Sequence, residues 1–212
     1  MTKIKRIGIF GVHRTGKTWL AKELGERYDL PYYPSNAEKV FSKHSVDAAV
    51  LPDFAKVLQI QRDILIAHLQ PRSQQHRYVM DRTGVDFLAY TLAHAECTGI
   101  QDSRIQEYMQ KCLRSLTTFN VLIHIPRSPL LNTGYTCGKG SEDADYIQHL
   151  KAQYAEVMAY LGHKVVTIPP ELPLGSRVDY VINELNLMGF SKPDASPTER
   201  QVMTTPVKLE DK

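Results

Sequence analysis

The stretch Gly11-Val12-His13-Arg14-Thr15-Gly16-Lys17-Thr18 satisfies the pattern G-x-x-x-x-G-K-[ST], and the chemistry that suits this spacing is the holding of a phosphate chain. The glycines let the backbone curl until the N–H groups of residues 13–18 and the start of a helix converge on phosphate oxygens. Lys17 then neutralises the β and γ phosphates, and the Thr18 hydroxyl ligates Mg²⁺. An ordinary glycine-rich strand-to-helix turn is the other reading of the same string. His13 and Arg14 fill variable positions of the loop, where both can direct charge towards a nucleotide or a second substrate; for His13 a structural role is the alternative.

Asp81-Arg82 supplies an anion and a cation directly after an apolar run. The carboxylate can hold Mg²⁺ or its water, or accept a proton from an attacking hydroxyl, while the guanidinium can grip a phosphate through two parallel hydrogen bonds. A strand-end ion pair, or a helix cap formed by Asp81, is the structural alternative. Asp86 either points towards an acceptor or enriches the first turn of its helix. Arg127 is placed to act as an arginine finger in cis, and Lys139 to assist it; solvated loop positions are the alternative for both. Arg177 either covers an adenine face or makes a surface salt bridge. Tyr32 and Tyr33 can stack on a base, and Tyr90 reads as core. No Ser-His-Asp or reactive-cysteine pattern is present, and no histidine spacing suits a metal.

The elements that must position these groups follow from periodicity. Residues 4–10 read as a first strand and residues 17–28 as an amphipathic helix. A short strand falls near residues 31–33, and Asn36 opens a short helix carrying Val40 and Phe41. A longer helix begins at Pro52-Asp53, carries Phe54 to Leu69 and ends at Pro71. Residues 77–80 form the next strand, followed by a helix with Phe87, Leu88, Thr91 and Leu92 closed by Gly99, and by another with Ile105, Met109, Cys112 and Leu116. Residues 119–125 are almost unbroken in apolarity, as in a strand buried on both faces. The glycine-bearing stretch 127–141 reads as a lid-like loop, residues 142–161 as a helix, 164–168 as the last strand, and a final helix holds Arg177 to Leu185. Strands alternating with helices imply βαβ units and a parallel sheet of about five strands covered on both faces. The expected organisation is one domain over residues 1–188 and a disordered tail over residues 189–212.

Composition narrows the function. At 212 residues with 42% hydrophobic and 23% charged content, the chain suits one globular domain. Its net charge of +3 is too small for a strong nucleic-acid footprint but permits a polyanionic substrate. Residues 189–212 hold four positive and four negative side chains, so the excess lies in the first 188 residues. Cys97, Cys112 and Cys137 are odd in number and lack C-x-x-C spacing, against a disulfide framework or structural zinc. No run approaches the roughly 18 apolar residues of a membrane span, and no export signal is apparent, so a cytoplasmic location is expected, host cytoplasm if the source is viral.

With the phosphate loop, the Asp-Arg pair and the glycine-bearing loop in place, the chain resembles the P-loop nucleoside and nucleotide kinases over about residues 4–187. More narrowly, the phosphate loop, Ser35-Asn36-Ala37-Glu38-Lys39-Val40-Phe41 and Asp81-Arg82-Thr83-Gly84-Val85-Asp86-Phe87-Leu88-Ala89-Tyr90 resemble a small bacteriophage-type branch that includes hydroxymethyluracil DNA kinases. The resemblance implies a three-layer α/β fold and transfer of the γ-phosphoryl group of ATP with Mg²⁺. Lys17, Asp81, Arg82 and Arg127 would be catalytic, with Asp81 or Asp86 as base. Gly11, His13, Arg14, Thr15, Gly16, Lys17, Thr18 and Arg177 would bind nucleotide, and Thr18 and Asp81 would hold the metal. The implied acceptor is the hydroxymethyl group of 5-hydroxymethyluracil in phage DNA. A deoxynucleoside monophosphate or nucleoside is the alternative acceptor, and a P-loop ATPase switch the alternative class. Departures matter: thymidylate kinases carry an arginine-dense lid where only Arg127 and Lys139 stand here, and the GTPase string N-K-x-D is absent. A full AAA+ module, with its helical second domain and sensor arginines, would need more chain.

Overall fold

The computed structural model describes residues 2–45, 53–70, 76–99, 102–127, 144–161 and 165–191. Five short apolar strands build the central sheet: β2 (Arg6–Phe10), β3 (Tyr32–Tyr33), β4 (Tyr78–Asp81), β5 (Val121–His124) and β6 (Val165–Thr167). All pairs are parallel, in the order β3-β4-β2-β5-β6. The first strand of the sheet is therefore central, and the chain builds first to one side and then to the other. That reversal opens a crevice at the carboxyl ends of β2, β4 and β5, where open α/β sheets bind ligands.

The period-2 alternation of the strands sorts their side chains between two cores. Ile7, Ile9, Val79, Val121, Ile123 and Val166 pack with Leu20 and Leu24 of α1 (Lys17–Tyr28) and with Val178, Val181 and Leu185 of α7 (Arg177–Leu187). Phe10, Tyr78, Met80 and Leu122 face the opposite layer. That layer comprises α2 (Ala37–Lys43), α3 (Phe54–Leu69), α4 (Gly84–Thr98), α5 (Arg104–Leu116) and α6 (Ala144–Ala159). Burial of both faces explains why β5 reads as a continuous apolar run. Each fully buried Ile or Val contributes roughly 1.5–3 kcal/mol relative to exposure. The expected three-layer α/β architecture with five parallel strands is thus the observed one.

Several boundaries differ from expectation. The run 4–10 divides: β1 (Thr2–Lys3) leaves the central sheet and pairs in parallel with β7 (Phe190–Ser191). Thr2 N–H donates to Gly189 O at 2.8 Å and Ile4 N–H to Ser191 O at 3.1 Å. Residues 189–191, expected to begin a disordered tail, therefore form part of the fold. The pairing is a long-range contact between the ends of the domain, which no local pattern signals. The strand expected over 77–80 runs on through Asp81. Its successor helix is capped by Thr83 and not by Asp81, because Thr83 carries the extended backbone a cap requires. Pro52, Pro71, Cys137, Lys139 and the lid-like stretch beyond Arg127 lie outside the described residues, as do residues 192–212. Among the described residues no helix is long and apolar enough to cross a membrane.

Candidate active site

The phosphate loop leaves the central strand at Gly11 and enters α1 at Lys17. Gly11 has φ 145°, a region other residues rarely adopt, and a Cβ there would overlap the Ile125 carbonyl. Gly16 has φ 89° as the residue preceding α1 and provides no side-chain cap, so the first N–H groups of the helix stay open towards the loop. Thr15 is 1% exposed and donates through Oγ1 to Val12 O at 2.9 Å, bracing the curl from inside. Lys17 Nζ donates to the same Val12 carbonyl at 2.7 Å. Burial, and next the Arg82 charge, push the Lys17 ammonium down to about 8, against the opposing pull of Asp86 and Asp81.

Asp81 ends β4, the neighbour of the loop's own strand, and the parallel register sets Ile9 opposite it. Thr18 Oγ1 donates to Asp81 Oδ2 at 2.5 Å. Asp81 is 5% exposed, and its Oδ1 is buried without a hydrogen-bond partner among the described residues. A buried carboxylate oxygen without a partner, beside a hydroxyl, is a hard-oxygen donor set that suits Mg²⁺, which prefers one or two carboxylates plus substrate phosphates. Thr18 and Asp81 are therefore the residues that would hold the ion, which when bound would neutralise charge on the phosphates.

Arg82 follows in a left-handed backbone conformation, φ 72°, and its guanidinium carbon sits 5.5 Å from the centre of the Tyr90 ring. His13 Nδ1 lies 3.1 Å from the Tyr90 hydroxyl. Burial, followed by the charges of Lys17, Arg82, Arg14 and Arg127, pushes His13 down to about 4, so it is neutral at physiological pH. Arg127 stands just past β5 at residue 127, near enough for its charge to act on His13.

Burial decides between the alternative readings of two residues. Asp86 is 0% exposed and takes the first-turn place that was one of its two readings. It is the third residue of α4 in a capping box, with Oδ2 accepting the Thr83 N–H at 2.7 Å, while Oδ1 accepts the Gly11 N–H at 3.1 Å. The carboxylate consequently locks the loop to the start of α4 and is withdrawn from the list of candidate bases. Arg177 is not a surface ion pair: it is 4% exposed, with Nη1 donating to Thr15 O at 2.7 Å and Nε to Leu172 O at 3.1 Å. Its guanidinium braces the phosphate loop from the α7 side. Tyr33 packs edge-on against Tyr78, whereas Tyr32 faces the site, where burial and then the Asp81 charge push its phenol up to about 12.

A cavity of about 410 Å³ is lined by His13 to Thr18, Asp81 and Arg82 together with Tyr32, Pro34, Ser35, Ala37 and Glu38; Asp86, Arg127 and Arg177 are not among its lining residues. Glu38 sits in the first turn of α2; its string carries the family resemblance, but the sequence assigns the residue itself no role. Tyr154 of α6 gives no sequence signal, and its hydroxyl reaches both Asp86 Oδ1 at 2.8 Å and Gly11 O at 2.9 Å. His124 packs its ring against both Phe10 and Tyr154 and is pushed down to about 4 by burial and then by Lys17.

A parallel sheet with a phosphate loop leaving its central strand, and a carboxylate from the adjacent strand bonded to the loop's threonine, defines a P-loop nucleotide-binding protein with the nucleotide-kinase fold. The chain belongs to the AAA domain family, whose model matches residues 6–172. No curated protein matches the chain. Among solved structures, deoxyadenosine kinase from M. mycoides, with products dCMP and a flexible dCDP bound, superposes with TM-score 0.68 at 17% identity, covering 86% of this chain and 99% of that one. Thymidylate kinase from Candida albicans gives 0.64 at 12% identity over 88% and 93% of the two chains. The YorR protein from Bacillus subtilis, in complex with phosphorylated GDP, gives 0.53 at 13% identity over 87% and 97%. At such identities the likeness is one of fold.

Proposed function

We propose that this protein is an ATP- and Mg²⁺-dependent kinase acting on a hydroxyl of a nucleoside- or nucleotide-type acceptor. The carrying observation is the second half of the cavity. Beyond the phosphate loop it continues to Tyr32, Pro34, Ser35, Ala37 and Glu38, a compartment that a hydrolytic switch would not need. The folds of deoxyadenosine and thymidylate kinases, matched over nearly their whole lengths, support the same class.

In the reaction, an acceptor oxygen forms a bond to the γ-phosphorus while the bond from that phosphorus to the bridging oxygen breaks, and ADP leaves with the electron pair. The N–H groups of residues 13–18 and Lys17 hold the phosphates, and Arg177 keeps the loop in shape from the α7 side. Arg82, assisted by Arg127, stabilises the charge that develops between donor and acceptor. Thr18 and Asp81 are assigned to the metal. Glu38, the other carboxylate of the cavity, takes the acceptor's proton.

For the acceptor itself, 5-hydroxymethyluracil in DNA is the specific reading. Its support is that Ser35, Ala37, Glu38 and Arg82, which belong to the two strings resembling the phage-type branch, line the cavity together. Free nucleosides and monophosphates are the competing acceptors, and the kinase folds fit them equally. The test is transfer of labelled γ-phosphate from ATP to a panel of nucleosides, monophosphates, thymine DNA and hydroxymethyluracil DNA. Label in the modified DNA alone supports the specific reading, and label in a free nucleoside or monophosphate replaces it. ATP hydrolysis that is rapid without acceptor and unresponsive to every member of the panel overturns the kinase reading in favour of a switch.

A further inference from the structure

Tyr90 lies on the same face of α4 as Asp86, one turn further along, because residues four apart on a helix stack above one another. Asp86 holds Gly11, the first residue of the phosphate loop, and Tyr90 reaches His13, the third. One helical face thus contacts the loop at two points. Tyr90 does a second thing from the same position: its ring lies beneath Arg82, with 5.5 Å from the guanidinium carbon to the ring centre. The His13 ring is also stacked against it, at 6.4 Å between centroids and 29° between planes.

The arrangement is unusual in what it controls. Arg82 occupies a left-handed backbone conformation at φ 72°, which for a residue with a long side chain persists only where its surroundings over-determine it. An arginine side chain has many rotamers, and a guanidinium on a π face is confined in plane and direction. His13 is the group at a variable loop position that lines the cavity beside Arg82, and an imidazole bonded through Nδ1 has its other nitrogen, Nε2, aimed by that bond.

We infer that Tyr90 is a positioning residue with two separable parts: the ring face directs Arg82 into the cavity, and the hydroxyl fixes His13 in one tautomer, so that the side facing the acceptor presents one oriented cation and one oriented imidazole. The chemistry such a pair recognises is an acceptor with an oxygen for the guanidinium and a further polar group for Nε2. The inference rests on the kinase reading for its rate measurements only.

Two variants of the full chain divide the two parts. Tyr90→Phe keeps the ring and deletes the hydroxyl; Tyr90→Met fills similar space without a π face. In ¹⁵N spectra of the histidine rings, wild-type His13 is expected to show a single neutral tautomer, and Tyr90→Phe a mixture of two. In turnover, Tyr90→Phe should raise the acceptor KM about fivefold with kcat within threefold. Tyr90→Met should lower kcat at least tenfold below Tyr90→Phe, with the KM for ATP within twofold of wild type. Equal kcat in the two variants would refute the role of the ring, and an unchanged His13 spectrum in Tyr90→Phe would refute that of the hydroxyl. The spectrum is read without turnover, so absence of any phosphorylated acceptor in wild type overturns the kinase reading while the His13 result still decides the hydroxyl.

Discussion

The Tyr154 hydroxyl stands 2.8 Å from Asp86 Oδ1, joining α6 to the carboxylate that holds the start of the phosphate loop. Through Asp86, three segments distant in sequence meet at one buried charge: Gly11 on the loop, Thr83 before α4, and Tyr154 on α6. A buried carboxylate is tolerated only where donors surround it, and burial still pushes this carboxyl up despite the pull of Lys17, Arg82, Tyr154 and Thr83.

Asp86→Asn is therefore expected to destabilise the fold by about 2 kcal/mol or more, because an amide NH₂ must face at least one donor that the carboxylate had accepted. Tyr154→Phe should cost about 1 kcal/mol. Urea denaturation of the two variants measures both, and an Asp86→Asn midpoint equal to wild type would return Asp86 to the list of candidate bases.

For Asp81 the expected defect is in metal response and not in folding. Asp81→Asn can still accept the Thr18 hydroxyl, but it lacks the charge that the unpartnered Oδ1 offers a cation. The enhancement of ATP binding by Mg²⁺ should fall at least about tenfold, on the order of 1.4 kcal/mol. Titration with ATP in the presence and absence of Mg²⁺ reads this directly; an unaltered Mg²⁺ response would leave Asp81 as a brace for Thr18 alone.

Lys17 sets a pH limit on nucleotide binding. Burial, and next the Arg82 charge, push its ammonium down to about 8, and a bound triphosphate favours the charged form. Binding must then take up a proton as pH rises through that value, so ATP affinity is fully present below it and declines above it, approaching roughly tenfold per pH unit. Calorimetry in buffers of different ionisation enthalpy should show proton uptake at pH 9 and little at pH 6.5. Lys17→Met should bind weakly without that dependence.

Arg177→Met removes the donor that braces the loop at the Thr15 carbonyl, and with it the donor to the Leu172 carbonyl before α7. A loss of about 2 kcal/mol in stability is expected, together with weaker ATP binding, since the loop carbonyl that anchors the curl is released. Retention of wild-type ATP affinity in a destabilised but folded variant would confine Arg177 to the fold.

What could be read from the sequence was whatever is local. Eight consecutive residues contain the whole geometry of the phosphate loop, because the glycines, the lysine and the threonine each act within one turn of chain. Apolar periodicity likewise exposed the strands and helices, and so the parallel sheet. Tertiary structure decided the roles of residues that act at a distance. Asp86 is four residues from Arg82 and looks equally available, yet packing of α4 against the loop buries it as a bracket. Arg177 looks like a surface cation, but α7 covers the sheet and turns it inward onto Thr15. Glu38 and Tyr90 stand in strings that carry the family resemblance, but their roles, and the part of Tyr154, appear only once the sheet has brought α2, α4 and α6 to one edge. The pairing of Thr2–Lys3 with Phe190–Ser191 was hidden for the same reason: the two segments are far apart in the chain, and only closure of the chain supplies their partners.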